Sequence, residues 1–193
     1  RLLEMAGPGP SVVITFDPHP MKVLQPRGAP PLLTSVRHKI ALIGRLGVRG
    51  CVVAPFTRGL ARQSPELFVR RLRACSPPVA EICVGENWRF GRGGTGTPAL
   101  LTDLCRTFGV KVTTVPSLRI QRRPVSSTRI RAAVHRGHLR VARELLGRPF
   151  SILGTVVRGR RFGRHLGFPT ANLDSHNEVI PPEGVYAVWA LCH

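Results

Sequence analysis

Ser11-Val-Val-Ile-Thr-Phe-Asp-Pro-His-Pro20 decides the fold class. A short apolar, β-branched run closed by a polar, proline-punctuated turn reads as a buried parallel strand with a loop at its carboxyl end. The pattern repeats outward. A helix is expected over 34–46, capped by Thr34 or Ser35 and stopped by Gly47. Residues 51–56 read as a second strand. Ser64-Pro-Glu66 supplies an N-cap, a first-turn proline and a first-turn acid for a helix to about Leu72. Residues 79–84 read as a third strand, Thr97-Pro98 opens a helix that Gly109 ends, and 110–115 read as a fourth strand. Strands alternating with helices predict a parallel α/β sheet. Ligands in such sheets bind beyond the carboxyl ends of the strands. The loops 17–20 and 85–96 lie at such ends.

Two short helices are expected over 126–147, the first capped by Ser126 or Ser127 and ended by Gly137, the second closed by Gly147. Beyond Phe150 the pattern changes. Residues 152–158 and 185–191 read as β-strands separated by glycine- and proline-rich segments, so a domain boundary is placed near 147–150. Between those strands runs Gly154-Thr-Val-Val-Arg-Gly-Arg-Arg-Phe-Gly-Arg-His-Leu-Gly-Phe-Pro-Thr-Ala-Asn-Leu173. Its glycines allow close approach of backbone to a ligand, and its arginine forks suit phosphate oxygens. Thr170 and Asn172 add neutral oxygens two residues apart, at what reads as a strand start. Such oxygens beside a phosphate loop suit magnesium held partly by substrate phosphates. An arginine-rich turn before a strand would look the same.

The chain has 193 residues and a formal net charge of +19; of its 29 basic residues only Lys22, Lys39 and Lys111 are lysine. Such a field attracts nucleic acid, acidic membranes or nucleotide phosphates. The arginines are spread along the chain and one tyrosine offers no stacking platform for bases, so a nucleic-acid partner is not expected. No apolar run approaches a membrane span. Five widely spaced cysteines, without CxxC, fit a reduced, cytoplasmic protein without zinc. Arg1 at the start, and a strand pattern cut short before His193, suggest a piece of a longer chain.

Single motifs are ambiguous. Gly91-Arg-Gly-Gly-Thr-Gly96 fits G-x-G-x-x-G, but no acid follows about 20 residues later, so a mobile glycine loop is expected instead of a dinucleotide fingerprint. His135-Arg-Gly-His138 fits H-x-G-H but falls at a helix–helix junction and is taken as chance. Ser126-Ser-Thr128 at a helix N-terminus, with Arg129 and Arg131 following, forms an anion site or an ordinary capped helix. Asn87, Trp88 and Phe90 stand at a strand end, and the two rings suit either an aromatic ligand or the core.

Taken in order, Thr15-Phe-Asp-Pro-His-Pro20, Val84-Gly-Glu-Asn-Trp-Arg-Phe-Gly91, Ser126-Ser-Thr-Arg-Ile-Arg131, Leu145-Leu-Gly-Arg-Pro149, Gly167-Phe-Pro-Thr-Ala-Asn172 and Pro182-Glu-Gly-Val-Tyr186 resemble the prokaryotic bifunctional riboflavin kinase/FAD synthetases. The resemblance implies a Rossmann-like nucleotidyltransferase domain over 1–148, transferring AMP from ATP to FMN. It implies the first part of an antiparallel β-barrel riboflavin kinase domain over 149–193. By resemblance, Ser127, Thr128 and Arg131 hold ATP phosphates, and Phe16, Asn87 and Phe90 face the flavin. Gly154, Arg158, Gly159, Gly163 and Gly167 wrap the kinase nucleotide, while Thr170 and Asn172 bind magnesium. The family's G-x-F-D-G-x-H-x-G-H run and the kinase's general-base glutamate are expected outside the chain, so no catalytic residue is assigned within it. Pro124 stands where members often carry arginine, with Arg123 beside it. Two other readings stay open: a nucleotidyltransferase of another substrate class, and a basic nucleic-acid-binding module.

Overall fold

The computed structural model describes residues 9–159, 167, 168 and 170–192. The fold is mixed α/β, in two compact units: residues 1–30 with 39–124, and residues 31–38 with 125–193.

In the first unit, β1 (Val12–Asp17) pairs in parallel with β2 (Gly50–Pro55), from Val12 opposite Gly50 to Asp17 opposite Pro55. The short helix α1 (Pro20–Leu24) follows β1 at once, and α2 (Val36–Gly44), which belongs to this unit from Lys39 on, precedes β2. After β2 come α3 (Arg58–Ala61) and α4 (Pro65–Arg73). Thr57 and Ser64 cap these two by accepting the backbone N–H three residues on. Then β3 (Glu81–Gly85), α5 (Pro98–Arg106) and β4 (Lys111–Val115) form a second strand–helix–strand, with β3 and β4 parallel. Thr97 caps α5 through Leu100 N, 3.1 Å away.

The parallel pairing follows the alternation in the sequence, but the single sheet does not. Among the described residues the strands form two separate two-stranded parallel sheets, with no ladder between β1–β2 and β3–β4. Alternation fixes the direction of a pair and is silent on which pairs share an edge. A core of Val69, Val84, Phe90, Leu101 and Cys105 seals β3–β4 against α4 and α5. Leu101 is wholly buried, a placement that contributes about 1.5–3 kcal/mol. The two-residue strands β5 (Arg119–Ile120) and β6 (Arg123–Pro124) close a tight hairpin.

In the second unit, α6 (Ser127–His135) and α7 (Leu139–Leu146) meet at Gly137, whose φ of 71° bends the chain back. Ile130, Ala133, Val134, Ala142 and Leu145 are their buried faces. Gly147, with φ 68°, ends α7 in the left-handed cap expected of it. β7 (Gly154–Val157) and β8 (Asn172–Ser175) pair antiparallel, Gly154 opposite Ser175 and Val157 opposite Asn172. The strand expected over 185–191 is not formed. Val185, Trp189 and Leu191 are 104%, 99% and 72% exposed, and a lone strand without a ladder partner has nothing to stabilise it. Among the described residues no helix is long and apolar enough to cross a membrane.

Candidate functional site

The carboxyl end of β1 is built from its own sequence. Thr15 Oγ1 accepts a hydrogen bond from Lys39 Nζ at 3.2 Å. Phe16, half-buried, meets Phe56 edge-to-face, ring centres 5.4 Å apart. The loop then turns into α1, where His19 Nδ1 accepts from Met21 N at 3.2 Å. Phe16 therefore stands at a strand end, partly open to solvent, beside a polar turn.

At the carboxyl end of β3, Glu86 and Asn87 are both exposed and both engage Ser117, just past β4. Ser117 N donates to Glu86 Oε1 at 3.0 Å, and Asn87 Nδ2 donates to Ser117 Oγ at 3.2 Å. The Ser117 hydroxyl first, and its backbone N–H second, hold the Glu86 carboxyl below its ordinary range. Asn87 thus has a fixed carboxamide whose Oδ1 accepts no bond among the described residues.

The neighbouring aromatics belong to the core. Phe90 is 7% exposed, stacked on Trp88 with centroids 4.6 Å apart and tilted against Phe68 at 5.2 Å. Its ring sits inside the unit instead of facing outward. The glycine loop after it is tied down. Phe90 and Gly96 exchange two backbone bonds, of 2.8 and 3.2 Å, and Arg92 N donates to Gln63 O at 2.7 Å. A Cβ on Gly96 would press into the Phe90 ring, and one on Gly91 into Pro65. The expectation of a mobile loop is corrected: close packing requires these glycines.

In the second unit Ser126 is the cap of α6, accepting from Arg129 N at 3.3 Å. Ser127 and Thr128 are exposed on the first turn, where unpaired N–H groups and the helix dipole favour anions. Arg131 lies one turn on. Its Nε donates to Pro31 O at 2.7 Å, its one bond among the described residues. His135 and His138 are exposed on either side of Gly137.

On the β7–β8 hairpin Arg158, Gly159, Thr170 and Asn172 are exposed. Gly154 faces β8, since a Cβ there would sit 2.5 Å from Asp174 O. Gly159 lies against the Asn172 carboxamide, whose Cγ would be 2.7 Å from an added Cβ. Gly167 is exposed, with φ 78°. Gly163 lies outside the described residues. Among the described residues no group of three or more His, Cys, Asp or Glu gathers to hold a metal. The oxygens of Thr170 and Asn172 are neutral, a donor set that suits a magnesium ion already carried by phosphates.

Asn177 was not singled out in the sequence. It is buried and bonds to two separate stretches, to Leu33 O on one and to Ser151 O and Leu153 N on the other. A lone asparagine in Ser175-His-Asn177 carries no periodic or motif signal, so only the tertiary contacts identify it.

Residues 4–129 match the FAD synthetase family, and residues 146–193 match riboflavin kinase. Among curated proteins, the bifunctional riboflavin kinase/FMN adenylyltransferase of Buchnera aphidicola subsp. Schizaphis graminum is 33% identical over 183 residues, covering 94% of this chain and 59% of that protein. The protein of that name from Haemophilus influenzae is 34% identical, covering 93% of this chain and 58% of its own length. The one from Bacillus subtilis is 37% identical, with 92% and 56% covered. The chain therefore spans less than two thirds of these relatives. A crystal structure described as a macrolide-efflux protein from Streptococcus pneumoniae superimposes with a TM-score of 0.76 at 31% identity, covering 92% of this chain and 58% of that one.

Proposed function

The chain belongs to the bifunctional riboflavin kinase/FAD synthetase family, and from that premise we propose that the protein makes FAD in two ATP-dependent steps. Riboflavin is phosphorylated to FMN, and FMN then receives AMP from ATP with release of pyrophosphate. Residues 1–148 serve the adenylyl transfer and residues 149–193 the phosphorylation, in a reduced, cytoplasmic setting. The partners are small molecules, without nucleic acid or membrane.

The observation that carries this reading is the start of α6. Ser126 occupies the cap, so Ser127 and Thr128 keep their hydroxyls for a ligand, and Arg131, one turn on, has its Nε held by Pro31 O. Hydroxyls, helix N–H groups and a guanidinium together suit ATP phosphates. Asn87 offers a fixed carboxamide to the flavin, Phe16 an accessible ring, and Phe90 supports the Asn87 loop from within the core.

In the kinase part, β7 and β8 are read as the first pair of an antiparallel barrel. Arg158, Gly159, Gly163 and Gly167 belong to the nucleotide loop, with Gly154 at its root. Thr170 and Asn172 would hold magnesium together with the substrate phosphates, and the ion, when bound, neutralises phosphate charge. Phosphoryl and adenylyl transfer need mainly positioning and charge neutralisation, which these residues are suited to provide.

Titrating the chain into FMN and riboflavin, with and without MgATP, tests the reading. Quenching of flavin fluorescence and saturable ATP binding weakened by Arg131→Ala are expected. Absence of binding to both flavin and ATP would overturn it. Salt-sensitive DNA or RNA binding at physiological ionic strength would favour a nucleic-acid module instead.

A further inference from the structure

Residues 31–33 have no helix or strand ladder of their own, yet every backbone polar atom of Leu32, and the carbonyls on both sides, are bonded. On one side Arg131 Nε donates to Pro31 O at 2.7 Å. On the other, Leu32 N donates to Glu178 Oε2 at 2.8 Å, and Glu178 N and Val179 N both donate to Leu32 O at 3.2 Å. Asn177 Nδ2 donates to Leu33 O at 2.7 Å. The same amide donates to Ser151 O at 3.2 Å and accepts from Leu153 N at 3.1 Å. Its nitrogen end thus faces two carbonyls and its oxygen end one N–H, which leaves a single sensible orientation. Asn177 is 7% exposed and Val179 wholly buried, so this clasp is anchored in the core of its unit.

We propose that Asn177 is a positioning residue for the Arg131 phosphate contact, acting through the 31–33 strap. The inference rests on the nucleotide-site reading of α6 given above. An arginine on a helix surface has many rotamers, and a bond from Nε to a carbonyl restricts the plane of the guanidinium and so the directions its Nη donors can take. That carbonyl orients the arginine only if it is itself fixed. The strap supplies no ladder, and residues 177–179 supply the bonds. A segment inside the riboflavin kinase match would therefore complete the phosphate site of the adenylylation step.

A double-mutant cycle on MgATP binding to the whole chain tests this, reading the component that Arg131→Ala removes. Asn177→Asp keeps an acceptor for Leu153 N and loses the donors to Leu33 and Ser151. It is expected to weaken that component about tenfold, the scale of one bond to a charged group. In the Arg131→Ala background the same change should cost little more, because both substitutions remove one contact. If Asn177→Asp does not fold, Glu178→Ala, on an exposed side chain, should give a smaller shift with the same non-additivity. Additive effects, or unchanged affinity in whichever of these two variants folds, would overturn the proposal while leaving the nucleotide site standing. Absence of any Arg131-dependent binding in the unsubstituted chain would overturn both.

Discussion

Gly159 lies so close to Asn172 that any side chain on the glycine would occupy the volume of the carboxamide. Asn172 forms the last pair of the hairpin, opposite Val157, and Gly159 stands two residues beyond Val157. If Asn172 helps to hold a metal-bound nucleotide, its oxygen must keep one direction, and a bare Cα is what gives it room.

Gly159→Ala is therefore expected to weaken MgATP binding to the kinase part about tenfold, close to the effect of Asn172→Ala. Calorimetric titration of both single variants and the double variant checks this. Equal affinity of Gly159→Ala and the unsubstituted chain would refute it.

Phe90 and Phe16 should separate structure from ligand contact. Phe90→Ala empties the centre of the Phe68–Trp88–Phe90 cluster and is expected to destabilise by about 3–5 kcal/mol. Phe16→Ala, at a half-buried edge-to-face pair, should cost nearer 1 kcal/mol while reducing flavin quenching. Urea unfolding beside a flavin titration distinguishes the two. A Phe90→Ala protein of full stability would contradict the core placement.

The elements of the α/β part were legible because their signals are local. Ser64-Pro-Glu66, Thr97-Pro98 and Gly147 are caps, and each acts where its own chemistry puts it. Sheet edges were not legible, since nothing in the β1 or β3 sequence says which strands share a ladder. The hairpin β5–β6 was missed for a different reason. Its turn places Gln121 and Arg122 at φ of 54° and 59°, where asparagine and glycine are the usual signals. In the candidate site, Ser127, Thr128 and Arg131 follow a recognisable motif, whereas the strap that fixes Arg131 is 100 residues away in sequence.

Ser126 and Ser127 have different jobs, and stability should show it. Ser126→Ala removes the bond to Arg129 N and is expected to cost about 1 kcal/mol. Ser127→Ala, on an exposed side chain, should stay within about 0.5 kcal/mol of the unsubstituted chain yet weaken ATP binding. Denaturant midpoints and nucleotide titrations on both variants are the measurement; a reversed pattern would exchange the two roles.

Acid should loosen the turn at Ser117. The Glu86 carboxyl is held below its ordinary value of 4.5, so the folded state favours the ionised form. Its contribution is present above the unfolded value and is lost as pH falls through the lower folded value. Glu86→Gln should therefore flatten part of the acid limb of a stability profile taken from about pH 6 to about pH 3. An unchanged acid limb would show that the carboxylate is not responsible.

The clasp around Asn177 also bears on chemical ageing. Asparagine deamidates when the backbone nitrogen of the following residue attacks the side-chain carboxamide. Here that nitrogen belongs to Glu178 and is committed to Leu32 O, while the carboxamide is held at both ends by other partners. The attack geometry is out of reach unless residues 177–179 first come away from the strap. Spontaneous conversion of Asn177 to aspartate, the change that would deprive the strap of its donor, is thus suppressed by the strap itself.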